Sequence, residues 1–332
     1  MEYRNLGKSG LKVSLVGLGC NNFGGRVDAE RTADVVNACI DAGITFFDTA
    51  DIYGAGKSEE FLAPALKPHR RNIVIATKSA GSMGEGPYWR GASRRYLMDA
   101  VDACLRRLET DYIDLYQIHM PDGDTPQEET LRALDDIVRA GKVRYIGCSN
   151  YAGWQVADAA WTAKSEHLTP FVSAQNQYSL LERGIERELM PACKQFGLGI
   201  LPFFPLASGF LTGKYRPNEA PPEGSRLAGQ SPMAGRILSE KNYDSLVKLE
   251  NFATERGHTM IELAMSWLAS QPVISSVIAG ATRPEQVYEN AKSADWRLHP
   301  DEMEQIDEIL GVAPAGGPGM GRPRPAAATA RS

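Results

Sequence analysis

Paired cysteines, clustered histidines, long apolar runs and a basic surplus are all missing from this chain of 332 residues. The five cysteines, Cys20, Cys39, Cys104, Cys148 and Cys193, are scattered, odd in number and never in a C-x-x-C pair. A disulfide framework is therefore not expected, and they read as reduced, mostly buried thiols. His69, His119, His167, His258 and His299 stand apart from one another and from acidic clusters, so no metal is expected. No stretch approaches the ~20 apolar residues of a membrane span, and MEYRNLGKSG has no signal-peptide core. A cytoplasmic location with no membrane partner follows as the expectation. A net charge of −5 offers no electrostatic footprint for nucleic acid.

What is present is alternation. With 43% hydrophobic and 23% charged residues the chain can bury one large core or two small ones, and only the pattern decides between them. Short β-branched or aromatic runs recur with amphipathic stretches between them, as in parallel βαβ units. The runs number eight: 13–19, 44–50, 72–78, 112–119, 143–150, 172–178, 199–206 and 275–280. Eight parallel strands predict closure into a (β/α)8 TIM barrel, a single α/β domain over residues 1–311. Helical periodicity covers 29–42, 58–67, 94–108, 127–140, 153–164, 184–196, 239–256, 259–270 and 284–292, with a last helix at 300–310. Asp28 and Ser93 read as N-caps, and Gly43, Gly141 and Gly197 as stops. The first residues predict an N-terminal β-hairpin closing the bottom of the barrel. Residues 312–332, rich in Pro, Gly and Ala, are expected to form a flexible tail.

Three connections are long: 79–92, 120–126 and 207–238. All follow strand C-termini, the end of such a barrel that carries active sites. Four titratable residues stand at that end of three adjacent strands: Asp48, Tyr53, Lys78 and His119. A phenol is a weak acid unless a cation stabilises its phenolate. A unit charge at ~4 Å with an effective dielectric of ~20 contributes about 4 kcal/mol, enough to bring a phenol from about 10 toward about 7. Lys78 can supply it, Asp48 can orient Lys78, and His119 can hydrogen-bond a carbonyl oxygen or the phenol. Taken singly, Asp48 reads as a turn residue, Tyr53 as a loop aromatic and His119 as a satisfied core histidine.

The segments FFDTADIYG (46–54), IATK (75–78), DYIDLYQIHMPD (111–122) and GKVRYIGCSN (141–150) resemble the signature segments of the aldo-keto reductase superfamily, over roughly residues 1–311. QNQYSLLER (175–183) is similar to the bacterial and potassium-channel β-subunit-like branch. The resemblance implies an NADPH-dependent carbonyl reductase of this barrel fold, with Asp48, Tyr53, Lys78 and His119 as its catalytic tetrad and Tyr53 as proton donor. No Rossmann signature competes, since GLGCNNFGG (17–25) lacks the G-x-G-x-x-G spacing.

By the same resemblance Ser149, Asn150 and Gln175 hold the nicotinamide carboxamide, with Gly19, Cys20, Asn21 and Asp48 on the nicotinamide side. Phe203, Phe204, Pro205 and Leu206 stand where the family has Tyr- or Trp-Ser-Pro-Leu, so Phe203 keeps a ring face and Phe204 replaces a small polar residue. Leu206, Ser208, Gly209 and Lys214, with Arg226 reaching back, are expected near the pyrophosphate. Gly280, Thr282, Arg283, Gln286, Glu289 and Asn290 match the adenosine and 2′-phosphate segment. The tail lacks aromatic residues, so Tyr88 and Trp89 of loop 79–92 are the expected substrate-pocket wall, with Asn22 and His119. Trp89 as merely half-buried packing stands beside that reading, and Cys20 and Cys148 read as inert packing.

Two other functions remain: an NADPH-binding redox-sensing or regulatory subunit with slow turnover, and a Schiff-base aldolase using Lys78. The aldolase leaves Ser149, Asn150, Gln175 and the 280–290 segment unexplained. The partner in the preferred reading is a small-molecule carbonyl; its identity and the oligomeric state are left open by the sequence.

Overall fold

The computed structural model describes residues 1–228 and 232–312; all but the first residue of the expected flexible tail lies outside them. An antiparallel hairpin, β1 (Tyr3–Asn5) and β2 (Lys12–Ser14), precedes a parallel eight-stranded sheet. Its strands are β3 (Val16–Gly19), β4 (Phe46–Asp48), β5 (Val74–Ser79), β6 (Ile113–Ile118), β7 (Val143–Ser149), β8 (Ser173–Gln175), β9 (Gly199–Ile200) and β10 (Val277–Gly280). They lie in sequence order from β3 to β9, with β10 on the other side of β3. Isolated parallel bridges Ile200↔Ile274 and Phe203↔Ile278 close the ring. This is the (β/α)8 barrel.

The helices that cover it are α1 (Ala29–Asp41), α2 (Lys57–Leu66), α3 (Arg94–Arg107), α4 (Gln127–Arg139), α5 (Gly153–Ser165), α6 (Leu189–Phe196), α7 (Pro232–Ile237), α8 (Glu240–Thr254), α9 (Met260–Ala269), α10 (Pro284–Lys292) and α11 (Pro300–Leu310). Local chemistry sets their ends. Asp28 accepts the Arg31 N–H at 2.9 Å and Ser93 that of Tyr96 at 3.4 Å, answering amides that a helix start leaves unpaired. Gly43, Gly141 and Gly197 all take positive φ just past a helix, where a side chain would be strained.

The strands are shorter than the apolar runs. The first run is split because the Ser14 hydroxyl donates to Val16 O and accepts the Thr45 and Phe46 amides, ending the hairpin where the barrel begins. The seventh run, 199–206, keeps only two strand residues, because Pro202 and Pro205 have no N–H for a ladder. The helix expected at 184–196 is a 3₁₀ turn, Gly184–Glu186, followed by α6.

The hairpin plugs the lower end. Leu6 and Val13 join Phe46, Val74, Leu115, Leu201 and Ile278 in one buried cluster inside the barrel. Gly7, at φ +57°, sits so close to the turn between α6 and β9 that a Cβ would lie 2.5 Å from the Gly197 carbonyl. With that end sealed, the barrel interior opens at the C-terminal rim.

Candidate active site

Parallel register brings the four expected residues together. β4 ends on Asp48, Lys78 is the penultimate residue of β5 paired with Gln117 on β6, and His119 follows β6 directly. Lys78 is fully buried. Its Nζ donates to Asp48 Oδ2 at 2.7 Å and to Thr49 O at 2.8 Å, and lies 5.1 Å from the Tyr53 ring centre. Asp48 Oδ1 accepts from Gln175 Nε2 at 2.7 Å and Gln117 Nε2 at 3.3 Å. The His119 ring meets the Tyr53 ring edge-on at 5.7 Å.

Electrostatics corrects one expectation. Tyr53 is held above the ordinary phenol value: burial raises it, Lys78 pulls it down, and Asp48 pushes it up again. The lysine does not bring the phenol toward neutrality because burial outweighs its pull and Asp48, 2.7 Å from Lys78, offsets part of the rest. Lys78 itself is pulled down by burial, but Asp48 and Tyr53 more than offset this and keep it charged. Burial, then Lys78, lowers His119 to about 3. Neutral His119 can therefore hydrogen-bond an oxygen without bringing a charge.

A cavity of about 600 Å³ opens at this rim. Its lining includes Asp48, Tyr53 and His119, together with Gly19, Cys20, Asn21, Asn22, Ser149, Asn150, Gln175, the run Phe203–Leu206, Ser208, Gly209, Lys214, Arg226, Gly280, Thr282, Arg283 and Gln286. Several of these side chains are already engaged. Gln175 spends its amide on Asp48, and Asn150, at φ +61°, donates to the His119 carbonyl at 2.9 Å. Gln286 Oε1 accepts from Thr282 N at 2.9 Å. Arg226 lies over the Phe204 ring at 5.2 Å and donates to Asn22 Oδ1 at 3.1 Å, bridging two rim loops. Phe204, Ala207 and Ser208 all take positive φ, a strain that persists mainly where surrounding structure enforces it.

Four expected residues lie elsewhere. Glu289 and Asn290 follow Gln286 along α10 and do not line the cavity: Glu289 is exposed, and Asn290 is turned into the protein, 6% exposed. Tyr88 and Trp89 are 59% and 55% exposed and are not part of the wall. Loop 79–92 folds on itself instead, with Trp89 over Gly84, the Arg95 guanidinium 3.9 Å from the Tyr88 ring centre, and Ala92 N donating to Asp122 Oδ2 at 2.7 Å. The wall opposite comes from Pro222–Arg226, Thr212, Ile278 and Ala279.

Arg26, which also lines the cavity, was not singled out from the sequence, although its place just after a strand C-terminus is a usable signal. It lies close enough to Arg226 that, after burial, its charge lowers the Arg226 guanidinium pKa. Two cations facing one space suit an anionic ligand. Cys20 lines the cavity too, but burial and then Asp48 push its thiol well up, so it stays an inert thiol.

An oxidoreductase of barrel fold is the class that these features fit: a buried Asp–Lys pair behind a phenol and a neutral imidazole, at one end of a cleft whose loops also carry cations. The aldo/keto reductase family model matches residues 15–311, and the chain belongs to that family. It is 37% identical to a probable voltage-gated potassium channel subunit beta of Arabidopsis thaliana, over 95% of this chain and 98% of that protein. It is 35% identical to the L-glyceraldehyde 3-phosphate reductase of Escherichia coli O157:H7, covering 93% and 92%. It is also 35% identical to the versiconal hemiacetal acetate reductase of Aspergillus parasiticus, covering 93% and 96%. The protein is an NAD(P)H-dependent oxidoreductase.

Proposed function

We propose that residues 1–311 form a carbonyl reductase that uses NADPH to convert an aldehyde or ketone to the alcohol, with Tyr53 donating the proton. The observation that carries this reading is the placement of Tyr53 and His119 at the wall of the cavity, backed by the buried Asp48–Lys78 pair. The cleft suits a dinucleotide. Lys214, Arg226 and Arg283 supply positive charge for phosphates, and a Cβ at Gly209 or Gly280 would crowd Lys214 Nζ or Asn22 Nδ2 at 3.3 Å. The nicotinamide, when bound, supplies the hydride.

The chain's own residues do the rest. His119, neutral, hydrogen-bonds the carbonyl oxygen and orients it toward the Tyr53 hydroxyl. Tyr53 stays protonated at neutral pH and gives its proton to the alkoxide, a far stronger base than phenolate. Lys78 then faces the phenolate and stabilises it. Lys78 is fully buried and absent from the cavity wall, which disfavours a Schiff-base role. A screen of NADPH consumption over aldehydes, quinones, methylglyoxal, sugars and steroid-like ketones tests the reading. Tight NADPH binding with negligible turnover across the screen would replace it with the regulatory alternative, which the likeness to channel β subunits suggests.

Cofactor choice turns on Arg283, at the start of α10, where helix amides add to the positive field. Glu285 lies 3.6 Å from it, and the two side chains are 76% and 63% exposed respectively, a surface pair that contributes little. NADPH is expected to be preferred over NADH by about 1.5–3 kcal/mol, roughly 10–100-fold. Arg283→Ala should weaken NADPH binding and leave NADH nearly unchanged in fluorescence titrations; equal losses for both would remove Arg283 from 2′-phosphate recognition.

A further inference from the structure

Two residues before Tyr53 stands a carboxyl that the chemistry above does not use. Asp51 is 1% exposed, and its N–H donates to the Lys78 carbonyl at 3.0 Å, so its backbone is tied to the strand that carries the ammonium. Oδ1 is buried without a hydrogen-bond partner. Oδ2 meets the Tyr96 hydroxyl of α3 at 3.4 Å, and the same hydroxyl meets the Gly81 carbonyl at 3.3 Å. The Tyr96 hydroxyl is placed to donate to either oxygen but has one proton to give. When the carboxyl carries a proton of its own it can donate to Tyr96, which leaves the phenol proton for Gly81 and runs a chain from Asp51 through Tyr96 to Gly81.

The surroundings favour that proton. Glu59 of α2 is fully buried, and it already takes Arg107 Nε of α3 and Thr77 Oγ1, each at 2.6 Å. One guanidinium therefore serves two carboxyls. Burial first, then Glu59, raises Asp51 to about 7, against the Ile52 amide, Arg107 and Tyr96, which pull it down. The remaining titratable neighbours stay neutral: Cys104 of α3 and Tyr116 of β6 are both pushed well up by burial. On β5, the Lys78 ammonium is engaged with Asp48.

Gly81 is the point where this chain reaches the catalytic loop. The Ile52 side chain packs against it so closely that a Cβ on Gly81 would lie 2.5 Å from Ile52 Cγ2, and Ile52 adjoins Tyr53. We infer that Asp51 is a positioning residue which, when protonated, pins the Tyr53 loop to loop 79–92 through Tyr96, and which releases that pin on ionising. Ionised Asp51 draws the Tyr96 proton to itself and strips Gly81 of its donor. The sign follows from an acid whose pKa is raised in the fold: its stabilisation is complete below the ordinary carboxylate value of 3.8 and is lost as pH rises through about 7. Turnover follows the same limb. Tyr53 titrates above the neutral range and His119 below it.

The kinetic readout rests on the reductase reading; the spectroscopic one does not. With 4-nitrobenzaldehyde and saturating NADPH, wild-type kcat is expected to fall several-fold between about pH 5 and about pH 9, with its midpoint near neutrality. Asp51→Asn, whose amide can donate to Tyr96 as the protonated acid does, should keep the low-pH kcat and lose the limb. Glu59→Gln should move the limb to lower pH, and Tyr96→Phe should hold kcat at the wild-type high-pH level at every pH and abolish the limb. Infrared difference spectra should show a protonated-carboxyl band that disappears as pH rises through neutrality and is absent from Asp51→Asn. A limb unmoved by Asp51→Asn and Glu59→Gln, or no such band at acid pH, overturns the inference. If the protein reduces no carbonyl, the reductase reading fails separately, and the band alone decides whether Asp51 holds its proton.

Discussion

Tyr53→Phe is expected to lower turnover by at least ~10²-fold, the general-acid contribution, while cofactor affinity stays within experimental error. The phenyl ring keeps the edge-on packing against His119 at 5.7 Å, so the substitution deletes a proton and little else. Lys78 keeps its bonds to Asp48 and the Thr49 carbonyl, so the charge behind the ring does not collapse. Single-turnover reduction with preloaded NADPH separates the proton step from product release. Near-normal carbonyl reduction by the variant would take Tyr53 out of the mechanism.

Lys78→Met should damage both activity and stability. It removes the cation facing the phenolate, and it strands a carboxylate that is 3% exposed with only Gln117 and Gln175 donating to it. Breaking a buried pair in this way costs about 3–5 kcal/mol, read as a fall in the urea midpoint with an unchanged slope. The two glutamines set the alternative outcome: activity lost at unchanged stability would mean that their amides suffice to hold Asp48. A double-mutant cycle with Asp48→Asn apportions the effect.

The architecture was legible because most barrel strands are buried on both sides and read as apolar runs, while Asp28, Ser93 and three glycines mark helix ends. The meeting of Asp48, Tyr53, Lys78 and His119 was legible for a related reason, since the ends of neighbouring parallel strands converge. What escaped depends on contacts distant in sequence. Whether Tyr88 and Trp89 turn toward the cavity is decided by Gly84, Arg95 and Asp122, none of which announces itself in a linear pattern. The Tyr53 environment escaped for the same reason, because burial, the largest influence on the phenol, and the carboxylate 30 positions before Lys78 that offsets the lysine are both set by distant contacts. Asp51 drew no notice at all beside Asp48. Its interest comes from Glu59 and Tyr96, brought to it by two different helices.

The barrel is fastened unevenly. β6 and β7 share five registered residue pairs, whereas the seam between the β9 and β10 segments has two isolated bridges, Ile200↔Ile274 and Phe203↔Ile278, and backbone bonds among Ile200, Val273 and Ser275, with Pro202 contributing a carbonyl to Ile278 and no amide in return. The loops that follow these two weakly joined strands are the ones that carry Ser208, Lys214, Thr282 and Arg283. In the proposed reading a dinucleotide would lie across both loops and act as a clasp on this seam. On that reading amide exchange near the seam should slow most when the clasp is fastened, and part of the affinity for the ligand would be spent holding shut the most lightly laddered side of the ring.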